Sequence, residues 1–519
     1  MEKKPRILWA DDEIDMLKPH IMFLEKHGYD MITVNNGLDA IETAVSSHVD
    51  LVILDEHMPG ISGLRALTVI KEKLPHIPVV MITKSEEEDI MNRAIGSKIA
   101  DYLIKPVHPR QILSSLKKCI DSNRLVSEMA ATRYVDDFRE ISSMIGRCRS
   151  LSDWRELYVR LVYWRVELSA GQTADESLRE MRSMLEDQID EAERLFFRFV
   201  SNHYPSWLHD PEILMSHSIL DRKVLPLLKN GEKLWLVVID NLRLDQWNML
   251  RPIIGASFRM EEDICCSILP TTTQYARNSI FAGLLPAQVS RLYPELWVDE
   301  SDTEGKNLNE ERLLRFYLRR CGIDDDLYYA IIRDSESCEK LLASFADVTS
   351  RKLKVVVINF IDMLSHERTS SRAVKELSST EAGFRSLAES WFRHSPVGEL
   401  FRRIAARGEK VVLATDHGAI KVNRPLRVAA DKTASDTLRY KVGRHLNYEG
   451  KNVLEVKDPA AYGLPSPGVA TSFIFAGSTD YFVYRNNFNH YSRLFDDTYQ
   501  HGGVSMQEML VPTVTLIPK

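Results

Sequence analysis

Cysteine is scarce in this chain. Its 519 residues include six, Cys119, Cys148, Cys265, Cys266, Cys321 and Cys338, and no two of them form a C-x-x-C pair. That excludes a disulfide-stapled scaffold and a thiolate zinc ribbon, and it points to a reducing compartment. No stretch approaches the ~18 uninterrupted apolar residues of a membrane-spanning helix. The opening segment MEKKPRILWADDE reaches Asp11 and Asp12 too early for the apolar region of a secretory leader, so a cytoplasmic protein with no membrane insertion is expected. Positive charge is not in excess either. Lys and Arg number 67 against 74 Asp and Glu, a net charge of −7, so any polyanion must be met in a local cleft rather than by a broad cationic field. Internal repeats, low-complexity tracts and a C-terminal helix-turn-helix pattern are missing as well, which leaves a DNA-binding output without support.

The rest is ordinary globular material, 44% hydrophobic and 27% charged. The length is roughly three times that of a usual domain, so two or three domains are expected. In residues 1–121, β-rich runs (Ile7-Leu8-Trp9, Leu51 to Leu54, Val79 to Ile82, Tyr102-Leu103-Ile104) alternate with helical periodicity, which predicts a parallel sheet covered on both faces. Residues 122–208 read as an all-helical connector, with Leu178, Met181, Leu185, Ile189 and Phe196 at helical spacings. In residues 209–519 apolar strands return as Leu234 to Ile239, Val355 to Ile361 and Val411 to Ala414. The fold class expected is therefore multidomain α/β.

In an open parallel sheet, functional groups gather beyond the carboxyl ends of the strands. Asp11 and Asp12 follow the first expected strand, Asp55 the third, Thr83 ends the fourth and Lys105 the fifth. Three carboxylates brought together repel unless a cation intervenes, and oxygen-only donors suit Mg²⁺. Asp55 can then act as nucleophile toward a phosphoryl donor, with Asp11 and Asp12 on the ion and Lys105 and Thr83 on the transferred oxygens. An isolated aspartate at a strand end is more often a cap, but the set is not.

These residues, with the turn Met58-Pro59-Gly60-Ile61-Ser62-Gly63, the aromatic Tyr102 and Lys105-Pro106, resemble the receiver domain of two-component response regulators. The resemblance implies a flavodoxin-like doubly wound fold, phosphorylation of Asp55 by a sensor histidine kinase, and Thr83 and Tyr102 as the switch pair. It also implies that the backbone carbonyl of His57 completes the Mg²⁺ site. Lys84 departs from the pattern, since receivers usually carry a small residue there, which bears on phosphate access and on the lifetime of the acyl phosphate.

In the C-terminal region, Asp240, Asp362 and Asp416 again stand at expected strand ends, now accompanied by His366, His417 and His501. Mixed imidazole and carboxylate donors favour zinc over magnesium, and six of them suffice for two ions. An Asp-His dipeptide or an Asp-x-x-x-His step alone is more often a satisfied histidine or a helix-face hydrogen bond.

The order Asp240-Asn241-Leu242-Arg243, Leu269-Pro270-Thr271-Thr272-Thr273, Asp362-x-x-x-His366, Thr415-Asp416-His417-Gly418 and His501-Gly502-Gly503 resembles the PglZ branch of the alkaline phosphatase superfamily. Carried over by position, that resemblance implies one Zn²⁺ on Asp240, Asp416 and His417 and another on Asp362, His366 and His501. The nucleophile falls in the threonine cluster. Alignment to Ala282-Gly283 puts it at Thr273, with Thr272 and Thr271 as alternatives. Phosphoester hydrolysis follows, with a phosphodiester favoured.

Receiver, helical connector and PglZ domain in this order resemble the PorX type of response regulator, which implies hydrolysis of nucleotides or oligonucleotides and a link to type IX secretion control. Phosphorylation is expected to promote a homodimer. The alternative is a signalling adaptor that binds a sigma factor and keeps its metals structurally.

Overall fold

A computed structural model describes residues 4–74, 77–83, 99–169, 176–298, 307–324, 326–370, 380–430, 435, 437–466, 468, 471–486 and 488–519, except the side chains of 72, 120–131, 176–177 and 366–370. They fall into two compact units, Met1–Arg133 with Gly171–Arg179, and Tyr134–Ala170 with Glu180–Lys519.

In the first unit β1 (Arg6–Ala10), β2 (Asp30–Val34), β3 (Leu51–Asp55), β4 (Val79–Thr83) and β5 (Asp101–Ile104) form a parallel sheet in the order β2-β1-β3-β4-β5. Alternate residues of each strand serve opposite faces. Leu8, Val52, Leu54 and Met81 pack with Ala66, Leu67 and Ile70, whereas Ile7, Trp9, Ile53 and Val80 pack with Leu24, Ile112 and Leu116. Strand order reverses between β1 and β3, which opens a crevice where Asp11 and Asp55 emerge. The turn after β3 then folds back beneath Asp55. A Cβ on Gly63 would stand 2.1 Å from the Asp55 carbonyl oxygen, so only glycine fits there, and Ser62 next to it caps the helix Gly63–Lys73 by accepting the Arg65 amide.

The second unit is built on β6 (Leu234–Ile239), β7 (Phe258–Cys266), β8 (Leu327–Ile332), β9 (Leu353–Ile358) and β10 (Lys410–Ala414). Small sheets between Ile420 and Gln500 comprise β11 (Ile420–Val422), β12 (Arg424–Ala429), β13 (Tyr440–Gly443), β14 (Asn447–Tyr448), β15 (Val453–Val456), β16 (Ser472–Ala476), β17 (Asp480–Tyr484) and β18 (Thr498–Gln500). The last strand, β19 (Leu510–Pro518), completes a six-stranded sheet ordered β7-β19-β10-β6-β9-β8. β10, β6, β9 and β8 are parallel, and β19 runs antiparallel between β10 and β7. Every residue of β6 and β9 is buried, as a strand covered on both faces requires.

The helices Leu151–Ser169 and Glu176–Trp207 lie in the region read as a connector. Most of it belongs to the second unit. Trp154 meets Phe196 and Phe199 there edge-on or tilted, with ring centroids 5.5 and 5.9 Å apart.

One local expectation fails. The apolar run Val355 to Ile361 is not one strand: β9 ends at Ile358, and Asp362 lies in the first turn of the helix Phe360–Ser370. A single polar residue, Asn359, marks the junction, and so short a run carries no period that separates a buried strand from the buried face of a helix; Ile361 is fully buried in the helix.

Candidate functional site

In the first unit the carboxylates of Asp11, Asp12 and Asp55 come within 4.8 Å of one another, the first and last buried and Asp12 exposed. The Lys105 ammonium bridges two of them, 2.9 Å from Asp11 Oδ2 and 2.8 Å from Asp55 Oδ1. Burial pushes the Asp55 carboxyl above its usual range, Asp11 and Asp12 add to that, and Lys105 opposes it. Burial alone would lower Lys105, but its hydrogen bonds to Asp55 and Asp11 leave it raised. Three converging carboxylates with one exposed edge fit a hard cation such as Mg²⁺. Thr83 donates its hydroxyl to the Glu56 carboxylate, a partner that sequence reasoning missed. The His57 side chain is exposed. Tyr102 is half-buried on β5, and Lys84 lies outside the described residues.

In the second unit the loops after β6 and β10 are stitched together. Asn241, in a left-handed conformation (φ 61°), donates its amide to Asp416 Oδ1 at 3.2 Å, and the Leu242 amide reaches Thr415 Oγ1 at 3.1 Å. Asp416 Oδ1 also accepts the His417 amide at 3.0 Å, while Asp240 Oδ2 accepts Arg277 Nη1 at 2.7 Å. The other oxygens, Asp240 Oδ1 and Asp416 Oδ2, are buried and accept no hydrogen bond. They lie 3.7 and 3.8 Å from His417 Nε2. His417 Nδ1 is 3.1 Å from the Gly418 carbonyl; a proton on Nδ1 satisfies that carbonyl and turns the Nε2 lone pair toward the carboxylates. Two orphaned carboxylate oxygens and one imidazole lone pair form a cation-shaped gap whose donor set fits zinc. Asp240 is held well above its usual range by burial first and then by Asp416, against the pull of Arg277.

Asp362 and His501 stand next to this triad. His501 Nε2 is 3.7 Å from Asp362 Oδ1, and His501 Nδ1 is 3.2 Å from the Thr271 carbonyl. The rings of His417 and His501 stack with centroids 4.1 Å apart. Asn241 reaches Asp362 Oδ1 through its side-chain amide at 3.2 Å. His366 lies one turn beyond Asp362 on the same helix; its side chain is outside the described residues.

The three threonines have separate placements. Thr271 donates to the Gly503 carbonyl at 3.0 Å and accepts the Gly502 amide at 2.9 Å, which ties its loop to the His501 loop. Thr272 occupies the N-cap position, and its buried hydroxyl has no partner. Thr273 begins the helical segment, and its Oγ1 lies 3.2 Å from His417 Nε2.

Arg277 escaped sequence reasoning, although its place four residues after Thr273 puts it on the same helical face. It is buried between Asp240 and Glu310, with Nε 2.7 Å from Glu310 Oε1. Burial would lower its pKa, but Asp240, Glu310 and Asp416 together raise it.

Comparison with known proteins agrees with this layout. Residues 7–117 match the response regulator receiver domain, residues 124–208 the PorX response regulator linker domain, and residues 219–516 the BREX system PglZ alkaline phosphatase-like domain. Among curated relatives, the alkaline phosphatase synthesis transcriptional regulatory protein PhoP of Bacillus subtilis is 28% identical over 162 residues, 31% of this chain and 65% of PhoP. The transcriptional regulatory protein ResD of the same organism is 32% identical over 112 residues, 22% of this chain and 46% of ResD. This chain thus spans about half to two thirds of the length of those relatives. A CheY-like receiver from Methanospirillum hungatei JF-1 has 22% identity, with coverage of 23% of this chain and 96% of that one and a TM-score of 0.23. A receiver from Clostridium thermocellum has 29% identity, coverage of 23% and 98%, and a TM-score of 0.22.

Fold and sites together define a receiver and an alkaline phosphatase-like domain in one chain. The PglZ match covers more than half of the residues, so the protein belongs to the PglZ alkaline phosphatase-like family, and with receiver and PorX linker ahead of that domain it is a PorX-type response regulator. Among the described residues no helix is long and apolar enough to cross a membrane.

Proposed function

We propose that phosphorylation of Asp55 by a sensor histidine kinase controls a zinc-dependent phosphodiesterase in the second unit. The observation that carries this reading is the convergence of Asp240 Oδ1, Asp416 Oδ2 and His417 Nε2 beside the Thr273 hydroxyl. Asp240, Asp416 and His417 would hold one Zn²⁺, and Asp362, His501 and His366 the other. Zinc bound there supplies Lewis-acid stabilisation of charge on phosphoryl oxygens and lowers the pKa of a hydroxyl or water. Mg²⁺ would sit on Asp11, Asp12 and Asp55 with the His57 carbonyl.

Thr273 is the nucleophile in this scheme. Its Oγ bonds to phosphorus while the ester's leaving oxygen departs and takes up a proton from solvent; the threonine proton goes to water. In the second step water attacks the phospho-threonine, the Thr273 Oγ–P bond breaks, and the hydroxyl is restored. The start of the helix at Thr273 directs backbone amides toward the incoming phosphate, and Arg277 keeps Asp240 oriented. Oligonucleotides are the favoured substrates and type IX secretion the favoured context, both on the strength of the PorX-type organisation. Phosphorylation would shift the chain toward a homodimer in a cytoplasmic setting. A reactive hydroxyl at the candidate metal site favours this enzyme over a purely adaptor role.

The experiment is zinc loading followed by assay on bis(4-nitrophenyl) phosphate and on 4-nitrophenyl phosphate. Diester turnover that disappears on chelation and returns with Zn²⁺ is expected. Full activity in a demonstrably metal-free preparation overturns the proposal.

A further inference from the structure

The helix Glu176–Trp207 touches both loops of the candidate catalytic site. Glu193, buried, places its two carboxyl oxygens 3.2 and 3.0 Å from the Met506 amide. Met506 opens the short helix Met506–Met509, five residues after His501. Tyr204, fully buried, accepts the Leu269 amide at 2.8 Å, four residues before Thr273. Eleven residues separate these acceptors, three helical turns and about 16 Å along the axis, so they share one face.

Phe197 lies between them on that face. Its ring packs so closely on Gly477 that a Cβ there would stand 2.3 Å from Cδ2, and Gly477 bridges to Val504 in the His501 loop. Both loops are also cross-tied through Thr271, which meets Gly502 and Gly503. Thr273 and His501 thus belong to one assembly mounted on a single helix. Beneath the His501 loop, Glu508 accepts from Gly503, Ser505 and Arg439, so the loop is held by Glu508 at Gly503 and Ser505 and by Glu193 at Met506.

We propose that Glu193 and Tyr204 are positioning residues for the candidate catalytic site: they fix the separation of Thr273 from His501, and a displacement of the linker helix reaches the site through them. The inference rests on the reading of Thr273 as nucleophile, but it can be tested apart from it. Burial pushes the Glu193 carboxyl up to about 8. That shift is toward the neutral acid, and the side-chain carbonyl of glutamine keeps an acceptor for the Met506 amide.

The test uses the full chain and the variants E193A, E193Q and Y204F, with R198A on the exposed face of the same helix as control. Hydrogen–deuterium exchange is followed in the metal-free protein, and turnover of bis(4-nitrophenyl) phosphate after zinc loading. E193A should speed exchange selectively around 501–509 and Y204F around 267–275. Each should lower kcat about tenfold or more, since small misplacements of reacting groups are costly, and leave KM within about twofold. E193Q should restore both readouts, and R198A should change neither. Loop exchange in E193A and Y204F indistinguishable from R198A, exchange accelerated evenly through the whole unit, or an E193Q variant as impaired as E193A would each overturn the proposal. Absence of diester turnover in the unmodified zinc-loaded chain would refute the phosphodiesterase reading instead, and the exchange results would then decide the positioning role alone.

Discussion

The two candidate sites follow one architectural rule with different chemistry. Each gathers acids at the carboxyl edge of a parallel sheet, and each holds three metal-seeking groups within 4.8 Å. In the first unit the third group is an exposed aspartate and the counter-charge is the ammonium of Lys105, shared between Asp11 and Asp55, so one edge of the site is open to a hard ion. In the second unit the third group is the imidazole of His417, all three are buried, and the counter-charge is the planar guanidinium of Arg277, clamped between Asp240 and Glu310. A lysine can move to follow arriving phosphate, whereas a forked arginine holds a carboxylate in one orientation. The fold chooses the place and the donor types choose the ion.

The sharpest way to break this comparison is to remove one nucleophile at a time. Asp55→Ala should abolish labelling by a small phosphodonor while diester turnover stays at the level of the unphosphorylated chain. Thr273→Val should keep the labelling and its bound zinc but lose turnover by about 10³-fold or more. Intact-mass analysis, metal analysis and a chromogenic assay on the same samples check both variants. Loss of both activities in either variant would mean that the sites are not chemically separate.

Metal exchange probes the donor sets next. After chelation, Mg²⁺ should restore Asp55 phosphorylation and leave the phosphodiesterase silent, and Zn²⁺ should restore hydrolysis. His417→Ala should lose a large part of that zinc-dependent recovery while phosphorylation is unaffected.

Arg277 distinguishes the counter-charges more gently. Arg277→Met leaves the buried Asp240 and Glu310 carboxylates without their partner, which should destabilise the metal-free second unit by about 3 kcal/mol. Zinc should offset part of that loss, because a cation again faces Asp240. Calorimetry with and without Zn²⁺ reads both effects.

The smallest effect is a pH slope. Glu193 is raised to about 8 by burial first and by Glu508 next, against the Met506 amide, Arg165 and Arg439. Between the ordinary glutamate range and pH 8 the folded state therefore binds more protons at this group than the unfolded state does. Stability of the second unit should fall as pH rises through that window, at up to about 1.4 kcal/mol per unit from this group. Glu193→Gln should flatten the slope in denaturant titrations at pH 5.5 and 8.

Much of this was readable before the fold. Strand-end acids mark both sheets because a βα loop must carry them to one edge, and strand β6 coincides with the run Leu234 to Ile239. Asp362 falls in a helix rather than at a strand end because one polar residue, Asn359, is too slight a mark to separate a buried strand from the buried first turn of a helix. The partners that orient the sites stayed hidden: Glu56 on Thr83, Arg277 on Asp240 and Glu193 on Met506 are pairings across 27, 37 and 313 residues, and no local period encodes them. The threonine cluster shows the same limit. Spacing offers three hydroxyls with nothing to tell them apart, and the fold gives them different surroundings, with Thr273 Oγ1 3.2 Å from His417 Nε2.

The central claim, hydrolysis in two displacements through Thr273, is tested most directly by the stereochemical course at phosphorus. The zinc-loaded chain would be given a chiral phosphorothioate diester in oxygen-labelled water. Two successive in-line displacements predict net retention of configuration; inversion, the mark of direct attack by water, would contradict the covalent threonine.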